Sequence, residues 1–77
     1  MSIEEAFGVV LRQVRVEKHL SQEDLGDRSG LHRTYISLLE RGLKSPSLST
    51  LFRLSRALEI QPHILIKLTE QQDIQSH

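Results

Sequence analysis

The chain has no cysteine among its 77 residues, so neither a disulfide framework nor a cysteine-ligated zinc site can brace it. Packing alone must hold it. No apolar run approaches the ~20 residues of a membrane span, and the amino-terminal stretch MSIEEAFGVV carries acids where a secretory leader carries bases. A soluble, unprocessed, cytoplasmic chain is expected. Glycine-rich linkers, internal repeats and low-complexity segments are also missing. His19, His32, His63 and His77 show no i, i+4 pairing and no carboxylate cluster at ligand spacing, so no metal site is expected. Nor is there a glycine-rich phosphate loop or a serine, histidine and aspartate arrangement above chance. Catalysis and a cofactor are therefore not expected. Excess charge is lacking too: ten lysines and arginines balance ten acids, whereas nucleic-acid-binding domains are often basic.

What is present centres on Ser21 to Gly42, SQEDLGDRSGLHRTYISLLERG. Ser21 with Asp24 three residues on forms a capping box, predicting a helix from Gln22 to about Arg28. Ser29 and Gly30 end it, since glycine enters the left-handed conformation without a Cβ penalty. A second helix is predicted from His32 or Arg33 to Gly42. Leu25, Leu31, Ile36 and Leu39 supply a buried corner, and Gly26 allows close backbone approach. His32, Arg33, Thr34 and Ser37 are left facing outward. Hydrogen-bonding side chains on an exposed helix face are what insertion into a DNA major groove requires.

The flanks read as three further helices. Ser2 and Glu5 cap a first one over Ile3 to Lys18, with Phe7, Val10, Leu11 and Val14 as its core stripe and Arg12, Arg15 and Lys18 on the polar side. Pro46 breaks the chain after the motif, and Ser47 caps a run in which Leu48, Leu51, Leu54 or Ser55, and Leu58 recur at helical spacing. Phe52 lies off that stripe, for a core edge or a second subunit. Pro62 opens the last helix, where Ile64, Leu65, Ile66 and Leu68 exceed one narrow face. The expected architecture is all-α, a compact five-helix bundle. Residues 1–70 form the domain with a carboxy-terminal dimerisation helix, and 71–77 a polar tail that frays. A 77-residue domain buries a smaller fraction of its surface than a typical domain does. A homodimer using Phe52, Ile64, Leu65 and Leu68 is therefore expected, the alternative being their absorption into one core.

Gln22, Gly30, the apolar Leu25, Leu31, Ile36 and Leu39, and the closing Glu40, Arg41 and Gly42 together resemble the helix-turn-helix of the phage-repressor and Cro superfamily, the Xre-type regulators. HRTYIS followed by LERG is similar to restriction-modification controller proteins. The likeness spans roughly Phe7 to Leu65. It implies a lambda-repressor-like fold, a palindromic double-stranded operator and regulation through concentration and cooperative dimer binding. It also implies an ion pair between Arg15 and Glu40 that fixes the first helix to the recognition helix. No small-molecule effector is expected. RNA polymerase is a further candidate partner. Two positions depart from the pattern: Gly26 stands where alanine is common, implying a slightly weaker first motif helix, and His32 stands where a serine, threonine or aspartate often caps.

Charge distribution answers part of the neutrality. From Arg28 to Arg56 the bases are Arg28, Arg33, Arg41, Lys44, Arg53 and Arg56, and Glu40 is the lone acid. A basic face with acidic ends follows. Arg33 and Thr34 are assigned to base edges, with Ser37 beside them. Gln22, at a helix start, is assigned to a phosphate, with Arg41 and Lys44 flanking the groove. His32 and Tyr35 join the phosphate set, with a helix cap as the alternative for His32 and core packing for the Tyr35 ring. The rival function is an antitoxin-like or adaptor interaction module on the same fold, which the neutral net charge favours.

Overall fold

Two serines start the first two helices by one device. In the computed structural model, which describes residues 1–75, the Ser2 hydroxyl accepts the Glu5 N–H at 3.0 Å while the Glu5 carboxylate accepts the Ser2 N–H at 2.9 Å. Ser21 and Asp24 repeat the exchange at 2.9 and 3.0 Å. Each box satisfies two N–H groups that a helix start leaves orphaned. The serine backbone N–H holds each carboxyl below its ordinary value. Both boxes are therefore complete above the ordinary carboxylate range and open only as pH falls through the lowered values.

The helices that result are α1 (Ile3–Glu17), α2 (Gln22–Ser29), α3 (Arg33–Glu40), α4 (Leu48–Leu58) and α5 (Pro62–Gln75), with no strand among the described residues. Gly30 stops α2 at φ +75°, the left-handed turn that a Cβ would disfavour. Ser47 accepts the Thr50 N–H at 3.1 Å to open α4. The five-helix, all-α architecture is as expected.

One apolar core joins all five helices. Phe7, Val10, Leu11 and Val14 of α1 meet Leu25, Ile36, Leu39, Leu51, Leu54, Leu58 and Leu65, with Leu31 and Tyr35 packed against its edge. A fully buried side chain of this size contributes about 1.5–3 kcal/mol. The buried hydroxyls of Ser29, Ser55 and Thr69 each donate to the carbonyl four residues back, at 2.6, 2.7 and 2.8 Å. None is left unsatisfied. Helix α1 lies chiefly against α5 and α3, while α2 packs on α3 and α4. The second motif helix is thus held from behind and from one side.

Three expectations need correction. Leu65 is fully buried, 0% exposed, so it belongs to the core and cannot line a dimer interface. Ile66 faces outward in its place, 53% exposed, because α5 turns its 65 and 69 positions toward α1. Leu48 is exposed although it continues the leucine spacing of α4. It sits on the first turn, ahead of the buried stripe of Leu51, Leu54, Ser55 and Leu58. Finally, α5 runs through Gln75, so the tail expected from Gln71 is helical over those residues. Thr69 is buried and Gln72 and Asp73 half-buried, which gives the added turns something to lie on. Ser76 and His77 fall outside the described residues.

Helix α1 comes close to the backbone of α3 at Gly8. A Cβ there would stand 2.5 Å from the carbonyl oxygens of both Leu39 and Glu40, so α1 rests directly on the end of α3. Alanine is the better helix former by about 0.8–1 kcal/mol, but the oxygens it would strike are backbone. Gly8→Ala is expected to destabilise by about 1–3 kcal/mol net, read as a lower urea midpoint. A raised midpoint would contradict this packing.

Candidate nucleic-acid interface

Helix α3 has two unlike faces. Ile36 and Leu39 are fully buried, and Arg33 and Thr34 on its first turn are exposed. Ser37 lies three and four residues after them and Arg41 four further on, so these side chains stack along one outward stripe. The α2–α3 turn places Arg33 Nη1 3.7 Å from Glu23 Oε2, with both side chains about two-thirds exposed. Such a pair contributes about 0–1 kcal/mol. Arg33 is therefore easily drawn to another partner. Arg41 and Lys44 are exposed beyond the end of α3, and Arg53 reaches within 3.9 Å of where a Gly30 Cβ would stand, beside the turn.

The one acid within this basic span is internally matched. Arg15 Nε and Nη2 donate to Glu40 Oε2 and Oε1 at 2.6 and 2.9 Å, a two-pronged pair with side chains only 11% and 4% exposed. The Glu40 hydrogen bond, opposed by partial burial, holds the Arg15 guanidinium above its ordinary value. Arg15 Nη1 also donates to the Leu20 carbonyl at 2.9 Å. The surface that remains around α3 is basic, bordered by the exposed Glu23, Asp24 and Asp27 of α2.

Two residues assigned to phosphates have partners within the chain. The Gln22 side-chain amide donates to Glu40 Oε1 at 3.0 Å, the third donor to that carboxylate. The helix start turns the amide inward because the carboxylate of α3 lies within its reach. His32 is the N-cap of α3, its Nδ1 accepting the Thr34 N–H at 3.0 Å. The ring folds back onto the helix because no hydroxyl or carboxylate is there to do so. Tyr35 is half-buried with its ring on the core edge, which leaves only the hydroxyl end for an outside contact. The Gln22 bond has no local sequence signal, since Glu40 sits on a different helix. The His32 cap did have one: a side-chain acceptor directly before a helix start.

Phe52 is 41% exposed, one turn after the still more exposed Leu48. Ile64 and Leu68 are half-buried, Leu68 against the core. Among the described residues there is no cluster of histidine and carboxylate side chains able to hold a metal.

A family model described as helix-turn-helix matches residues 11–65. The chain is 45% identical over 64 residues to the control protein C.BamHI of Bacillus amyloliquefaciens, across 82% of this chain and 79% of that protein. It superposes on the crystal structure of the restriction-modification controller protein C.AhdI from Aeromonas hydrophila with a TM-score of 0.79 and 44% identity, over 80% and 94% of the two chains. The controller protein C.Esp1396I, solved as a tetramer on its natural 35 base-pair operator, gives a TM-score of 0.84 at 28% identity, over 94% and 95%.

Removing one partner of the Arg15–Glu40 pair leaves a nearly buried charge unmatched. Glu40→Ala is expected to cost about 3 kcal/mol, whereas an Arg15→Met, Glu40→Leu double variant should recover much of the loss. Denaturant unfolding of the single and double variants checks this. A Glu40→Ala protein as stable as the parent would show that the pair is energetically idle.

Proposed function

The chain belongs to the helix-turn-helix family, and on that premise we propose that it is a transcriptional regulator of the restriction-modification controller kind, binding a palindromic double-stranded operator as a homodimer. The observation that carries this is the division of α3, apolar and buried behind, with Arg33 and Thr34 exposed at its amino-terminal end. That end enters the major groove. An arginine there bonds guanine O6 and N7 together, worth about 1–3 kcal/mol of discrimination. Thr34 and Ser37 meet neighbouring base edges, while Arg41, Lys44 and the Tyr35 hydroxyl reach phosphates on either side. With the acids of the central span reduced to a neutralised Glu40, the groove-facing surface is basic although the whole chain is not.

One such domain offers few phosphate contacts, and two copies on half-sites one helical turn apart supply the missing affinity. Leu48 and Phe52 on α4, with Ile66 on α5, are among the apolar side chains left outside the core and supply the two-fold contact. Ile64 and Leu68 stand at its margin. RNA polymerase is the partner through which a bound dimer acts on transcription, and the cytoplasm is where the operator lies. No helix among the described residues is long and apolar enough to cross a membrane.

The experiment is selection of bound sequences from a random duplex pool, then titration against salt. Arg33→Ala should weaken the selected duplex by about 1–3 kcal/mol and relax preference at one base pair per half-site. Lys44→Ala should weaken all sequences alike and reduce the salt slope by about 1. Equal loss on selected and random duplexes for Arg33→Ala removes it from base reading. Inertness toward DNA at low salt would favour an interaction module instead.

A further inference from the structure

The first turn of α3 is held by a titratable cap. His32 Nδ1 accepts the Thr34 N–H at 3.0 Å, which requires a ring nitrogen with a free lone pair, hence a neutral imidazole protonated on Nε2. Charging the ring removes that lone pair. It also sets a positive charge at the positive end of the helix dipole, where cations are disfavoured. On the other side of the ring is a hollow of about 260 Å³ lined by Glu23, Gly26, Asp27, Leu31, His32 and Arg33. From α2 the carboxylates of Glu23 and Asp27 face it. From α3 the charged group is Arg33, already 3.7 Å from Glu23. When neutral the ring is held by the helix end, and the acids that share the hollow with it are Glu23 and Asp27.

We propose that His32 is a pH-sensitive positioning residue of the DNA-reading helix. The neutral ring locks the turn that carries Arg33 and Thr34, and protonation releases it, so that sequence discrimination weakens in acid. Imidazole is the side chain whose charge ordinarily changes between about pH 5 and 8. The cap is complete while Nδ1 keeps its lone pair and is lost once that nitrogen is protonated. The sign is diagnostic, because an imidazolium set against a phosphate would strengthen binding over the same interval. The inference rests on the reading of α3 as the DNA-reading helix.

The test compares the parent with H32N and H32A by fluorescence anisotropy from pH 8 to 5.5 at fixed salt. The probes are a duplex selected from a random pool by the parent at pH 8 and a random duplex of equal length. Asparagine caps through a side-chain oxygen that does not titrate in this window. At pH 8 H32N should match the parent within about twofold, and H32A should bind the selected duplex about fivefold more weakly, the ordinary worth of an N-cap. On acidification the ratio of selected to random affinity should fall about fivefold for the parent and stay level for both variants. His19, His63 and His77 are common to all three proteins and cancel. The Thr34 amide resonance should move with pH in the parent and not in H32N. A parent ratio that holds level or rises, or a fall shared by H32N, overturns the proposal. A parent that prefers no duplex even at pH 8 overturns the reading of the chain as a DNA-binding regulator instead.

Discussion

The Glu40 carboxylate is the point on which three helices converge. It closes α3, takes two prongs from Arg15 of α1 and receives the amide of Gln22 at the head of α2. A carboxylate with a side chain 4% exposed would be costly if left bare, and three donors satisfy it. This polar knot fixes what apolar packing alone leaves free, namely the rotation and depth of α3 relative to the helices behind and before it. Gly8 makes the arrangement possible by letting α1 rest against the backbone beside Glu40.

Sorting of charge follows from the same contact. In a chain with equal acids and bases, Arg33, Arg41 and Lys44 stand exposed along α3 and just beyond it, while Glu40 is matched internally and the exposed Glu23, 3.7 Å from Arg33, borders them. Affinity for a polyanion depends on local surface charge more than on the sum. Neutral composition and a nucleic-acid-binding surface are therefore compatible. The chain matches controller proteins over most of its length, and one of the structures it resembles, C.Esp1396I, was solved on operator DNA.

Much of the fold was legible in the residues. Capping boxes at Ser2 and Ser21, the stop at Gly30 and the opening Pro62 are local devices, in which the partner is at most a few residues away, and periodicity shows which side of an amphipathic helix turns inward. Arg33 and Thr34 were legible as exposed because Ile36 and Leu39 claim the opposite side. α5 was not so legible. With aliphatics on several sides its spacing does not choose a buried face, and only contact with α1 shows that Leu65 goes in and Ile66 stays out.

By itself, then, the order of residues determined where each helix starts, that α2 stops at Gly30, and that a short helix carrying arginine and threonine follows that glycine turn. Such features depend on neighbours in the chain. Tertiary structure decided which polar groups remain available: Gln22 is turned inward by a carboxylate 18 residues away. A side chain's chemistry is written in its identity, but whether a donor or lone pair is already spoken for depends on what folding brings within about 3 Å.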